Sequence, residues 1–103
     1  MVSDYQRTVY EAVKLIPVGR VSTYARISRL VGAGSPRSAG QALKKNPFAP
    51  DVPCHRVISS DLTMGGFCGR RSGPEVERKL RLLAEEGVIF AHGKLADPSR
   101  LWP

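Results

Sequence analysis

The chain has 103 residues, 42% of them apolar, and carries a net charge of +7. That length suits one domain with one modest core. No apolar run approaches the ~18 residues of a membrane-spanning helix, and no basic stretch followed by an apolar one opens the chain, so neither a membrane span nor secretion is expected.

The first helical pattern follows Ser3, a suitable N-cap, with Val9, Val13 and Ile16 at helical spacing. It predicts a helix over residues 4–16, stopped by Pro17-Val18-Gly19. A second helix is predicted over 23–31, with Tyr24, Ile27 and Val31 on one face and Gly32 ending it. Ser35-Pro36 then pairs a capping hydroxyl with proline at the first helical position, and starts a third helix that runs to about Lys45. Two short helices joined by Gly32-Ala33-Gly34 read as a helix-turn-helix. Ala39, Gly40 and Ala42 on the second of them permit close approach of a backbone, either to DNA or to a neighbouring helix.

Residues 46–72 are rich in Pro, Gly and Ser and read as loop with short extended pieces, anchored by Val52, Val57 and Ile58. A fourth helix is predicted from Pro74 to Glu86, with Val76, Leu80 and Leu83 inward and Gly87 as its C-terminal stop. Val88–Ala91 and Lys94–Ala96 flank His92-Gly93 as a small hairpin, placed as a wing beside the helix-turn-helix. The expected fold is mainly α: a winged helix-turn-helix DNA-binding domain with a small C-terminal β-hairpin wing.

The charge is concentrated. Residues 12–50 contain no acid but carry Lys14, Arg20, Arg26, Arg29, Arg37, Lys44 and Lys45, while the remainder has nine basic and nine acidic residues. The whole excess therefore lies in one segment, which suits a polyanion. A solvated face kept for solubility is the alternative.

Chemistry concentrates at Pro53-Cys54-His55-Arg56. Thiolate is the sulfur nucleophile, and a nearby imidazole is the usual means of forming it at neutral pH. An isolated Cys-His pair reads more readily as a buried structural cysteine beside a surface histidine. The two cysteines, Cys54 and Cys68, read as thiols of a reducing compartment.

The surroundings resemble the C-terminal domain of the O6-alkylguanine-DNA alkyltransferases over nearly the whole chain. Ile16-Pro17-Val18-Gly19-Arg20-Val21-Ser22-Thr23-Tyr24 resembles the segment leading into that family's helix-turn-helix, and Arg37-Ser38-Ala39-Gly40-Gln41-Ala42-Leu43 its DNA-reading helix. Asn46-Pro47 and Val52-Pro53-Cys54-His55-Arg56-Val57-Ile58 resemble the asparagine hinge and the alkyl-acceptor motif. Gly65-Gly66-Phe67 and Lys79–Gly87 resemble the base-pocket loop and the helix that ends in the catalytic glutamate.

The resemblance implies single-turnover transfer of an alkyl group from O6-alkylguanine in double-stranded DNA to Cys54, with flipping of the damaged base. His55 takes the thiol proton through a water, Glu86 orients the imidazole, and Asn46 bridges the recognition helix and the active-site loop. Tyr24, Ala25, Arg37 and Ser60 are implied at DNA, Tyr24 pushing the target phosphate and Arg37 filling the vacated stack. Val57, Phe67, Cys68 and Gly69 line the base pocket, with the main-chain carbonyls of Cys54 and Val57 toward the guanine amine. From the residues alone Glu86 also reads as a solvated helix-end acid, Asn46 as a helix cap and Tyr24 as a core aromatic.

No cofactor is implied. A zinc site from Cys54, His55, Cys68 and His92 lacks the usual Cys-x-x-Cys spacing, and none is expected. One alkyltransferase-type domain over 1–103 is expected, with no N-terminal companion domain, as a monomer at the nucleoid or in the nucleus. The ending Ser99-Arg100-Leu101-Trp102-Pro103 resembles the short alkyltransferase-like proteins, which bind alkylated DNA and flag it to excision-repair proteins but carry tryptophan where this chain has Cys54. A lesion sensor is therefore the rival reading, and an ordinary winged-helix transcription factor a third.

Overall fold

Ser3 starts the first helix, α1 (Asp4–Lys14), through reciprocal hydrogen bonds with Gln6, main chain to side chain in both directions. These satisfy amides that a helix start leaves unpaired. The computed structural model describes residues 2–48, 51–64 and 73–103. α1 stops two residues before the expected end. The amides of Leu15 and Ile16 step back to the carbonyls of Ala12 and Val13, each at 3.1 Å, tightening the last turn while Ile16 still reaches the core.

The helix-turn-helix forms as its capping signals predict. Thr23 caps α2 (Tyr24–Val31), and Gly32 ends it in the left-handed region at φ 76°. Ser35 and Ser38 cap α3 (Pro36–Lys44) reciprocally, with Pro36 in the first turn. α1 packs against both helices. Val9, Tyr10, Val13, Ile16, Ile27, Ala39, Ala42 and Leu43 form the larger core cluster with Val52 and Val57. The Tyr10 hydroxyl donates to the Ala42 carbonyl at 2.7 Å inside it. The small residues of α3 thus serve packing: Ala39 and Ala42 are buried, and Gly40 lies beneath the Tyr24 ring.

Two short strands pair in parallel, β1 (Ser22–Thr23) with β2 (Val57–Ile58), in the register Ser22 to Val57 and Thr23 to Ile58. β2 follows a single 3₁₀ turn at Cys54–Arg56. The pairing joins the helical core to a second cluster of Val21, Ile58, Leu83, Val88 and Leu95.

The last long helix, α4 (Pro74–Glu85), corrects one expectation. Val76 and Leu83 face inward as expected, but Leu80 is 39% exposed and Lys79 is fully buried in its place. Positions 76, 79 and 83 share a helix face, and residue 80 lies about 100° around from 79. A polar residue at the buried position hid this phase from a pattern of apolar residues.

β3 (Phe90–Ala91) and β4 (Lys94–Leu95) make the hairpin wing, its turn His92-Gly93 having positive φ at both positions. Beyond it, Pro98–Arg100 forms a short 3₁₀ turn and the chain returns to β1 as a strap. Val21 donates to the Arg100 carbonyl at 2.9 Å and accepts from the Trp102 amide at 2.7 Å. Arg20 and Arg26 hold the same strap by its Ser99 and Pro103 carbonyls. The architecture is a mainly helical winged helix-turn-helix. No helix of the described residues is long and apolar enough to cross a membrane.

The turn between α2 and α3 contains two glycines of similar φ, 76° at Gly32 and 74° at Gly34, in different surroundings. A methyl at Gly32 meets nothing, whereas one at Gly34 runs into the Tyr5 hydroxyl and Ser38 Oγ, themselves hydrogen-bonded at 2.7 Å. Gly32→Ala should cost about 1 kcal/mol through backbone strain, and Gly34→Ala roughly 1–3 kcal/mol more through overlap. Urea unfolding measures both; equal losses would disprove the tight contact at Gly34.

Candidate active site

Pro53 is buried and leads into the Cys54–Arg56 turn, which is closed by Arg56 N–H to the Pro53 carbonyl at 2.9 Å and by the Val57 amide to the Cys54 carbonyl. The Cys54 amide donates back to the Val52 carbonyl at 2.8 Å. The turn is thus fixed by main-chain bonds at both ends, and Cys54 sits half-buried against the helical core.

His55 points to the end of α4. Its Nε2 lies 3.0 Å from Glu86 Oε2, and its side chain is 8% exposed. Glu86 caps α4 and also receives a fork from Arg56, Nε to Oε1 and Nη2 to Oε2, both at 2.9 Å. Burial works to raise the Glu86 carboxyl. Hydrogen bonds from Arg56 and His55, with their charges, outweigh it and hold the group below its ordinary value. An ionised carboxylate only accepts, so Nε2 carries the imidazole hydrogen and Nδ1 is left as the acceptor. The arrangement is a buried, oriented imidazole next in sequence to a thiol.

Asn46 follows α3 and joins it to the loop before the thiol. Its Nδ2 donates to the Val52 carbonyl at 3.0 Å, and its Oδ1 accepts from the Phe48 amide at 2.9 Å. The β1–β2 register sets Tyr24, the residue after Thr23, close to the turn. Burial first, and the neighbouring Cys54 charge second, push its phenol above the ordinary value. Tyr24 and Cys54 are therefore electrostatic neighbours although one lies on α2 and the other on the 3₁₀ turn.

Arg37 is exposed in the first turn of α3, Ala25 is half-buried at the start of α2, and Ser60 is exposed beyond β2. Val57 is fully buried, and its carbonyl accepts from Lys79 Nζ at 2.8 Å. The other expected pocket residues, Phe67, Cys68 and Gly69, lie outside the described residues. Among the described residues no three His, Cys, Asp or Glu side chains are grouped to hold a metal, and His92 is an exposed turn residue.

The family described as 6-O-methylguanine DNA methyltransferase, DNA binding domain, matches residues 4–88. The chain belongs to this family. It is 48% identical over 86 residues to a methylated-DNA–protein-cysteine methyltransferase of Methanothermobacter thermautotrophicus, across 84% of this chain and 46% of that protein. It is 43% identical over 81 residues to a DNA base-flipping protein of Thermus thermophilus, across 79% of this chain and 51% of that protein. The chain spans about half the length of these curated relatives. Among solved structures, S. pombe Atl1 in complex with damaged DNA containing O6-carboxymethylguanine superposes with a TM-score of 0.83 at 37% identity, covering 100% of this chain and 99% of that one.

Two alkyltransferase-family side chains here had no part in the expected site. Arg56 forks onto Glu86, and Lys79 donates from the interior to the carbonyls of Val57 and Met64, each at 2.8 Å. Sequence placed both inside recognised motifs, Pro53–Arg56 and Lys79–Gly87, without a role. A charged residue in phase with Val76 and Leu83 is the signal that could have exposed Lys79. Burial lowers its ammonium from 10.5 to about 8, with the Cys54 charge opposing.

The unfolded chain keeps the ordinary value, so between about pH 8 and 10.5 it holds a proton that the folded chain has released. Stability then rises with pH across that window. Relative to Lys79→Met, the native chain should gain on the order of 1–2 kcal/mol between pH 8 and 10. Parallel stability curves from denaturant titrations at each pH would show that the buried amine does not titrate there.

Proposed function

We propose that the chain captures O6-alkylguanine in duplex DNA, rotates the damaged base out of the stack, and takes its alkyl group once onto Cys54. The observation that carries this reading is the thiol on a braced turn next to a buried imidazole held by the half-buried Glu86 carboxylate. His55 Nδ1 accepts the Cys54 proton through a water. The thiolate sulfur attacks the alkyl carbon, the carbon–O6 bond breaks, and its electron pair leaves with guanine. The thiol proton ends on the released base, so the products are a thioether and ordinary guanine. The step balances without a cofactor, and the thioether leaves no thiol for a second turnover.

Flipping is required because the O6 substituent cannot meet the sulfur while stacked. Tyr24 bears on the target phosphate and Arg37 enters the space the base leaves, with Ala25 and Ser60 at the backbone. Val57, Phe67, Cys68 and Gly69 form the pocket around the guanine, and Asn46 keeps α3 in register with the thiol loop. The partner is damaged double-stranded DNA, which places the protein with the genome, at the nucleoid or in the nucleus.

The likeness to Atl1 across almost the whole of both chains favours a second reading. In it the protein binds the lesion without transfer and presents it to excision repair. Exposure to O6-methylguanine duplex followed by peptide mapping separates the two. Native protein should gain one methyl group on the Cys54 peptide and none on the Cys68 peptide, and Cys54→Ala should gain none while keeping lesion binding. Tight binding by folded protein with Cys54 unmodified would leave the sensor reading in its place.

Arg37→Ala tests the flipping step. Ser35 and Pro36 still start α3, so thermal stability should change by less than about 0.5 kcal/mol. Transfer from duplex should fall at least roughly tenfold, because nothing fills the vacated stack. Native-like transfer rates in the folded variant would remove Arg37 from this role.

A further inference from the structure

Transfer as proposed employs His55 and Glu86 but gives no task to the most constrained cation beside them. Arg56 is 14% exposed at its side chain and spends three nitrogens on fixed acceptors. Nε and Nη2 fork onto Glu86, and Nη1 donates to the Ile16 carbonyl at 3.0 Å. It thereby ties the end of α1, the thiol turn and the end of α4 at one point. Glu86 needs such an anchor, because a carboxylate at a helix C-terminus faces the negative end of the helix dipole.

We propose that Arg56 is a positioning residue for the transfer: its fork fixes the Glu86 carboxylate against His55, and its charge leaves the cluster positive when Cys54 becomes a thiolate. This rests on the reading of Cys54 as the alkyl acceptor. With the imidazole neutral, Glu86 and Arg56 cancel. Once His55 holds the thiol proton, two cations surround one carboxylate, and the net +1 stands on the same turn as the thiolate. Positive charge beside a cysteine favours its thiolate. Without Arg56 the same state is only a neutral imidazolium–carboxylate pair.

Among the described residues, the groups that feel the Cys54 charge include Tyr10 on α1, Tyr24 on α2 and Lys79 on α4. Both phenols are pushed upward and remain neutral near pH 7. Lys79 contributes a cation whose burial is independent of Arg56. The side-chain hydrogen bonds on Glu86 come from His55 and Arg56, and the fork is Arg56's own.

Arg56→Met removes charge and fork, while Arg56→Lys keeps the charge and loses the fork. The readouts are iodoacetamide modification of Cys54 against pH in DNA-free protein, transfer from methylated duplex, and near-ultraviolet circular dichroism for folding. In Arg56→Met the modification profile should move to higher pH, and its rate at pH 7 should fall about tenfold. Arg56→Lys should keep a near-native modification profile but lose transfer by about tenfold, because the carboxylate is no longer oriented. A folded Arg56→Met with the native profile overturns the proposal, even if it is less stable. Should that variant not fold, native transfer by Arg56→Lys overturns it instead. If Arg56→Met shifts the modification profile and Arg56→Lys does not, yet the native protein takes no alkyl group from DNA, the transfer reading fails and the charge role of Arg56 toward Cys54 stands.

Discussion

One carboxylate organises the site. Glu86 ends α4 and accepts from both His55 and Arg56, whose side chains leave the thiol turn together. The arrangement is adverse in two respects: the group is largely withdrawn from water, and it sits at the negative end of a helix. It survives because every cost is met by a charge-assisted hydrogen bond, and such bonds are roughly twice as strong as neutral ones. The same bonds fix the imidazole tautomer. Structure and chemistry are joined here, since loosening Glu86 would remove one tie between α4 and the turn and free the imidazole from its orientation.

The parallel β1–β2 contact is short, yet it decides what meets the thiol. It places the start of α2 beside the 3₁₀ turn, and so puts the Tyr24 ring near Cys54 and over Gly40 of α3. Asn46 closes the other side by holding the loop before the thiol to the end of α3. The helix that would read DNA and the sulfur that would react are thus joined through the short Asn46 side chain, bonded to the main chain at Val52 and Phe48. A base rotated out past α3 would arrive at a fixed distance from the nucleophile, which is where the rate advantage of a preorganised site originates.

What sequence disclosed and what it concealed follow the range of the interactions. Ser3, Thr23, Ser35 with Pro36, and Gly32 are local signals, each satisfied within a few residues, and the helices they bound were placed within two residues of their observed ends. The His92-Gly93 hairpin is local as well. Lys79, Arg56 and the strap at Leu101–Trp102 are stabilised by partners far along the chain: Val57, Glu86 and Val21 respectively. No window of neighbouring residues contains that information. Leu80 was misplaced for the same reason, because an apolar pattern assigns the inward position to the apolar neighbour of a lysine whose compensating carbonyls it cannot see. The roles of Cys54, His55, Glu86 and Asn46 are what family resemblance implies; on their own the Cys-His pair and Glu86 read more readily as structural or surface residues. The fold then added a physical reason for the His55–Glu86 pairing.

The basic segment divides once its partners are known. Arg20 and Arg26 are committed to strap carbonyls, and Lys14 stands near Glu11 on α1 at 3.8 Å. Arg29, Arg37, Lys44 and Lys45 remain exposed on α2, on α3 and just past its end. The charge available to a polyanion therefore follows the helix-turn-helix and ends beside Asn46, whose loop carries the thiol. Phosphate attraction is indifferent to sequence and damage. On the proposed function it would seat the helix pair on any duplex, and discrimination would fall to the step that requires a base to leave the stack. In that reading a general electrostatic grip and a selective chemical cluster are separate devices on one small fold, coupled through the β1–β2 pairing, α3 and the Asn46 hinge.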